Sequence, residues 1–340
     1  MNIIIGTSLL ILVLAIFTLF NYKAPYGTKA MGALASAACA SFLVEAFQDS
    51  FFGKVLGFQF LSEVGGANGS LSGVAAAILV TIAIGVTPGY AVLIGLSVSG
   101  TGIIPGFLAG YLVGFLVKWM ERNIPGGLDL ISIIIIGAPL TRLVAKLLTP
   151  LINSTLLTIG DILTSGAHSN PILMGIILGG TIVVVATAPL SSMALTAMLG
   201  LTGMPMAIGA LSVFGSSFMN GVLFHKLKLG SRKDNIDFAV EPLTQADVTS
   251  ANPIPIYVTN FVGGAACGIL IALMKLVNDT PGTATPIAGF AVMFAYNPMI
   301  KVLITALGCI ILSLLAGYFG GIVFKDYKLV TKEELQARDN

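Results

Sequence analysis

The polar residues of this chain that could handle a solute sit inside or beside long apolar runs. Thr87, with Pro88 and Gly89, interrupts the run 70–100, and Thr187, Ala188, Pro189, Leu190, Ser191 and Ser192 interrupt the run 171–196. Proline removes an amide donor and frees a carbonyl, which lipid tolerates only where protein or a water-filled cavity satisfies it. Paired broken segments in the two halves of a membrane chain point to a binding site near the midplane. Thr87, Thr187, Ser191 and Ser192 would be its hydrogen-bonding groups. The competing reading is two structural kinks patched by the same hydroxyls. The stretch 234–252, DNIDFAVEPLTQADVTSAN, is the richest source of hydrogen-bonding groups near the membrane. Its Gln245, Asp247, Thr249, Ser250 and Asn252 either form an ordinary loop or dip between helices and line a pocket. Arg142 and Lys146, four apart on one helical face, either mark a wetted groove or snorkel from the end of a span.

No enzyme constellation accompanies these groups. The chain has no HExxH, no GxSxG and no lysine-bearing phosphate loop, and its histidines are His168 and His225. No catalytic residue, metal ligand or cofactor is assigned, and covalent catalysis by this chain alone is not expected. Cys39, Cys267 and Cys309 stand in apolar sequence without paired spacing, so they read as small buried hydrophobes. A net charge of +2 carries no nucleic-acid signal.

The elements that must position these residues are membrane spans. With 56% hydrophobic residues, 9% charged residues and 40 glycines, the chain cannot keep its apolar surface from water as a soluble domain would. A bilayer core about 30 Å thick needs about 20 apolar residues per helix. Such runs recur over 2–21, 30–48, 70–100, 102–118, 128–150, 171–196, 203–224, 256–278 and 300–324. They are continuously apolar rather than alternating, which excludes a barrel. The expectation is an all-α polytopic membrane protein of roughly eight to ten spans with broken helices and re-entrant hairpins. Residues 2–21 lack a basic leader and a small-residue cleavage site, so they read as a retained span.

Gly102, Gly106, Gly110 and Gly114 recur every fourth position and strip one helical face to backbone, a face for close helix packing within the membrane. Residues 151–167 have apolar positions at helical spacing and predict an amphipathic helix in the outer interface, with Asp161 solvated. Residues 279–299, DTPGTATPIAGFAVMFAYNPM, are too rich in proline and glycine for a plain span and predict a re-entrant hairpin entering from outside. Lysine and arginine cluster at 225–233 and in the tail from 325, whereas 150–170 and 277–286 hold none. The positive-inside rule therefore places the loop 225–240 and the tail in the cytoplasm.

From about residue 70 onward the order of motifs resembles the membrane subunit IIC of the sugar phosphotransferase system (EIIC), particularly its fructose-type branch. The likeness is carried by IIPGFLAGYLVGFLVK, the IP turn, LISIIIIGAPLTRLVAKLLTPL, NPILMGIILGGTIVVVATAPLSSMAL, PIPIYVTNFVGGAACGILIALMKL and TPGTATPIAGF. The resemblance implies one integral membrane domain over 1–340, with divergent spans at 1–69, an EIIC-like core at 70–324 and a tail at 325–340. It also implies a homodimer in a bacterial cell membrane, surrounded by lipid, served by separate phosphocarrier subunits EIIB and EIIA.

The sequence departs from that family where sugar is held. An aspartate and a Gly-Pro-Val-Asn-Lys signature are replaced by Val185 and by Ala188, Pro189, Leu190, Ser191 and Ser192. The Ile-Thr-Glu motif becomes Leu243, Thr244, Gln245, and the Pro-His-Gly-Gly tip becomes Thr285, Pro286, Ile287, Ala288, Gly289. Hydrogen bonds to charged groups contribute about 1.5–3 kcal/mol against about 1 for neutral ones, so these losses put phosphotransferase coupling in doubt. Two functions stay open. One is an elevator-type transporter of a sugar or other small polar solute, using Ser191, Ser192, Gln245, Asn252 and Thr285. The other is a ligand sensor, like the IIC-like proteins related to the perfringolysin regulator, acting through a cytoplasmic partner.

Overall fold

The computed structural model describes residues 2–188, 192–240 and 242–334, and every regular element among them is helical. In chain order these are α1 (Asn2–Lys23), α2 (Gly27–Ala38), α3 (Gln59–Ser70), α4 (Ser72–Ala83), α5 (Pro88–Leu96), α6 (Ile103–Asn123), α7 (Leu128–Ser132) and α8 (Ala138–Ser169). There follow α9 (Pro171–Thr187), α10 (Ser192–Met198), α11 (Gly203–Leu227), α12 (Arg232–Val240), α13 (Ala246–Ala251), α14 (Pro253–Leu273), α15 (Pro286–Val292) and α16 (Met299–Val323). Wider π-helical turns extend α2 through Val55 and join α7 to α8 at Ile133–Gly137.

Among the described residues, six stretches are long and apolar enough to cross a bilayer: Gly27–Lys54, Ile103–Asn123, Leu128–Leu163, Gly203–Leu227, Pro253–Leu273 and Met299–Val323. Taken together across their 49° bend, α3 and α4 make a seventh. The protein is thus an all-α, multi-pass membrane protein. Two of the apolar runs are broken, as the sequence led one to expect. Residues 70–100 divide into α4 and α5, and 171–196 into a 17-residue α9 and the short α10.

The chain forms two compact units, one of Leu9–Ile159 and one of Met1–Ser8 with Gly160–Asn340. In the first, the glycine stripe of α6 lies on α4. A side chain at Gly106 would run into the backbone of Gly73, one at Gly110 into Ala77, and one at Gly114 into Ile84. A side chain at Gly102 would meet only Pro105, at 3.8 Å, although the Gly102 carbonyl itself lies against Gly73 of α4. The stripe is therefore spent within the chain, and Thr81 Oγ1 donates across it to the Gly110 carbonyl at 3.2 Å. The break after α4 leaves the Ile84 carbonyl without its helical partner, and Lys118 Nζ donates to it while also reaching Tyr26 Oη at 2.9 Å. Arg142 likewise closes the end of α5 by donating to the carbonyls of Ser97 and Ser99. Arg142 thus serves as a helix cap, and Lys146 is exposed.

Residues 151–167 are not a separate interfacial helix. They continue α8 unbroken through Pro150 to Ser169. The helical spacing read from the sequence holds, but a single internal proline costs one amide bond and does not end the helix.

The second unit is built on glycine contacts between α9 and α14. Gly175 meets Gly268 and Gly179 meets Gly264 so closely that a Cβ on any of them would strike backbone. Against the other side of α14, α11 and α16 close up through Gly263, Met219 and Gly317. Cys267 Sγ lies 3.4 Å from Ser313 Oγ and donates to the Cys309 carbonyl at 3.6 Å, and Cys267 and Cys309 form no disulfide.

Candidate functional site

The two broken segments of the second unit meet. Helix α9 stops at Thr187 because Ala188 turns extended ahead of Pro189, which has no amide to continue the ladder. The carbonyl of Thr187 is satisfied from outside the helix by Thr249 Oγ1, which donates at 2.6 Å. The Thr187 hydroxyl donates back to the Val184 carbonyl at 3.0 Å and accepts from Asn260 Nδ2 at 3.0 Å. Thr187, Thr249 and Asn260 are fully buried. On the far side of the break Ser192 opens α10, and its Oγ donates to the Ala284 carbonyl at 2.7 Å. Ala284 belongs to the irregular segment leading into α15.

That segment is held by its own polar groups. Asn278 Nδ2 donates to Thr283 Oγ1 at 2.8 Å, Thr283 Oγ1 donates to the Thr280 carbonyl at 2.8 Å, and Asn278 N donates to the Gly203 carbonyl at 2.9 Å. Thr285 is buried with extended backbone, and its carbonyl starts α15 by accepting from Gly289 N at 3.0 Å. Residues 279–299 thus form a loop and a short helix of 7 residues, too short to cross a bilayer.

Two asparagines absent from the sequence-derived set lie buried in the same unit, and one of them, Asn260, bonds to Thr187. Asn220 on α11 is fully buried, and neither its Oδ1 nor its Nδ2 has a hydrogen-bond partner; Asn260 Oδ1 is in the same condition. Antiparallel packing sets them level. Ser212 Oγ donates to the Gly264 carbonyl, Met219 lies against Gly263, and Phe224 shares a core cluster with Ile256. An asparagine inside an apolar run was the available signal, since polar groups at membrane depth are expensive to keep there.

The other sequence-derived residues separate. Ser191 lies outside the described residues, and so does the side chain of Asp247, which falls on α13. Thr87 belongs to the other unit, is exposed, and caps α5 with its amide donating to Glu121 Oε2 at 3.3 Å. Gln245 and Asn252 are buried, but the C-terminal segment engages both. Gln245 Oε1 accepts from Lys332 Nζ at 2.7 Å, and Asn252 pairs with the backbone of Val330. Lys332 also forms an ion pair with Asp234 at 2.6 Å. Burial of the Asp234 carboxyl raises its pKa, but hydrogen bonds from Lys332 and Ser231 outweigh this and bring it down to about 2. The stretch 234–252 is therefore neither a free loop nor a pocket wall alone, since part of it is a seat for the tail.

An open apolar groove of about 440 Å³ runs beside α11, lined by Phe214, Phe218, Val222, Pro286, Ile287 and Leu314, with Ser217 the one polar residue of its lining among the described residues. Its walls suit lipid chains better than a hydroxylated solute.

Broken helices that meet through buried, uncharged hydrogen-bonding groups are a feature found in membrane transporters. The sequence model of the family "Phosphotransferase system, EIIC" matches residues 28–337. The chain belongs to that family, whose members are sugar-transport membrane subunits working with EIIB and EIIA. No curated protein and no solved structure matches it.

Proposed function

We propose that this chain carries a sugar or another small polar solute across a bacterial membrane by elevator-type alternating access. The solute binds where the breaks after Thr187 and before Thr285 come together. The observation that carries this is the buried bond from Ser192 to the Ala284 carbonyl, with Thr187, Thr249 and Asn260 adjoining it. Thr187, Ser191, Ser192 and Thr285 are the proposed hydrogen-bonding groups of that site. Gln245 and Asn252 are assigned to the tail and Thr87 to the N-terminal end of α5. Division of the chain into two compact units supports a moving part and a fixed part, and the family supports EIIB and EIIA as partners. We further propose a homodimer, with the loop 225–240 and the tail cytoplasmic. Contact of Lys332 N with the Leu229 carbonyl at 3.0 Å puts these two basic segments on one side, which supports that placement.

The test is solute uptake into proteoliposomes, run with and without phosphorylated EIIB. Saturable flux lost in Ser192→Ala supports the reading, and flux dependent on EIIB adds coupling to phosphorylation. A folded protein that gives no flux under either condition sinks it.

One observation favours a sensor instead: the tail is fastened to the α12–α13 seat by specific polar contacts. A sensor would bind solute without flux and change the exposure of that tail to a cytoplasmic partner.

A further inference from the structure

We infer that the groove beside α11 seats one anionic phospholipid, with an acyl chain along its apolar walls and the lipid phosphate held by the Lys226 ammonium. This site is separate from the solute junction and uses none of its residues. A groove that merely faced the bilayer would need no polar partner, and two observations set this one apart. Ser217 is 8% exposed and lines the groove, yet its Oγ has no hydrogen-bond partner. A buried hydroxyl left unpaired costs free energy unless the occupant of the groove bonds to it. The ester carbonyl of a phospholipid is such an acceptor, set at the polar end of an apolar chain. The second observation is the direction of Lys226. Near the end of a span a lysine ordinarily snorkels outward to water. Here the stem lies against α16, where a side chain at Gly321 would meet its Cβ and Cδ, and Nζ turns back over the Tyr318 ring, 3.7 Å from the centroid. Helices α11 and α16 run the same way, with Gly215 beside Ser313 and Gly317 beside Met219. Tyr318 therefore stands one turn beyond the groove residue Leu314, as Val222 stands one turn beyond Phe218, which brings the ammonium to that end of the groove.

The charge of the headgroup follows from what surrounds that end. Among the described residues no carboxylate pairs with Lys226, and an ammonium over a tyrosine face keeps its N–H groups available to an anion. From Lys226 to the end of α12, Lys226, Lys228, Arg232 and Lys233 stand against Asp234 and Asp237, and Asp234 is already held by Lys332. Basic clusters adjoining a span on the cytoplasmic side attract anionic lipids, so on the placement proposed above the lipid comes from the cytoplasmic leaflet. A zwitterionic headgroup would bring its own cation to this cluster. A soluble phosphate would leave the groove and Ser217 unused.

The test is native mass spectrometry of the full chain released from nanodiscs of palmitoyl-oleoyl phosphatidylglycerol and phosphatidylcholine in equal amounts, two lipids with the same chains and esters. The unaltered protein retains a single phosphatidylglycerol with about tenfold preference, the fold-change of one charge-assisted hydrogen bond. Lys226→Gln removes the preference and Lys226→Arg keeps it. Ser217→Ala weakens retention of both lipids alike, by about threefold to tenfold, and leaves the melting temperature in detergent unchanged because its hydroxyl has no protein partner to lose. Val222→Trp fills the groove and abolishes the retained lipid. Equal retention of the two lipids by the unaltered protein overturns the anionic assignment. A preference that survives Lys226→Gln but vanishes when Lys228, Arg232 and Lys233 are all changed to Gln assigns the headgroup to the loop and overturns the Lys226 site. A lower melting temperature in Ser217→Ala marks a structural hydroxyl and overturns its role toward lipid. Retention untouched by Val222→Trp in folded protein overturns the groove as the seat. Displacement of phosphatidylglycerol by soluble glycerol phosphate overturns the part given to the acyl chain.

Discussion

Asn252 holds Val330 at both of its backbone polar atoms. Asn252 Nδ2 donates to the Val330 carbonyl at 2.8 Å, and Val330 N donates to Asn252 Oδ1 at 2.9 Å. The amide imitates a neighbouring strand, and Leu329 packs beside it against a core of Leu223, Phe224, Leu227, Leu229, Phe238, Val248 and Ile256. Asn252→Ala should therefore release the tail rather than empty a solute site. Hydrogen exchange at Val330 should rise sharply, with global stability falling by about 1–3 kcal/mol for the paired groups left buried. Unchanged exchange at Val330 would show that the packing of Leu329 alone holds the tail.

Acid should loosen the same contact. The folded-state pKa of Asp234 is depressed to about 2, against about 3.9 in an unfolded chain. A depressed carboxylate stabilises the fold fully above its unfolded value and loses that contribution as pH falls through its folded value. Between pH 5 and pH 2, tail protection should decline progressively. Asp234→Asn should flatten this dependence and cost about 1 kcal/mol at neutral pH, because the ion pair is only partly buried. A profile identical in the variant would assign the acid sensitivity to another carboxylate.

How far the sequence carried can be judged from particular residues. The breaks at Pro88 and Pro189 were legible because proline cannot donate, and the packing of Gly106, Gly110 and Gly114 was legible because four-residue glycine spacing has one geometric meaning. The fate of Gln245 and Asn252 was not legible, since their partners lie 87 and 78 residues away in a tail with no pattern of its own. Asn220 and Asn260 were visible as polar residues in apolar runs. Their shared level depends on the register of α11 against α14, which neither helix encodes alone.

The glycines of α9 and α14 give a sharper test of packing. A side chain at Gly264 would strike the Gly179 backbone, and backbone cannot rotate away as a side-chain tip can. Gly264→Ala should destabilise the protein by about 1–3 kcal/mol, the range for overpacking a tight interior. Gly66 in α3 has open space where a Cβ would go. Gly66→Ala should be neutral or stabilising by up to about 1 kcal/mol, because glycine is a poor helix former. Equal melting temperatures for the two variants would mean that α9 and α14 can move apart without penalty.

The two helix breaks are satisfied by chemically different groups, and that difference is measurable. The Ile84 carbonyl accepts from the Lys118 ammonium, whereas the Thr187 carbonyl accepts from the neutral Thr249 hydroxyl. A charge-assisted hydrogen bond contributes about 1.5–3 kcal/mol and a neutral one about 1. Lys118→Met keeps the aliphatic stem and removes the donor, as Thr249→Val does for the hydroxyl. Lys118→Met should therefore lower the melting temperature more than Thr249→Val. Thr249→Val should instead disturb solute binding more, because it frees the carbonyl at the proposed junction, while the Lys118 cap lies in the other unit. Melting curves and binding isotherms on both variants separate the two effects. A binding defect in Lys118→Met as large as that in Thr249→Val would mean that the break after α4 also takes part in holding the solute.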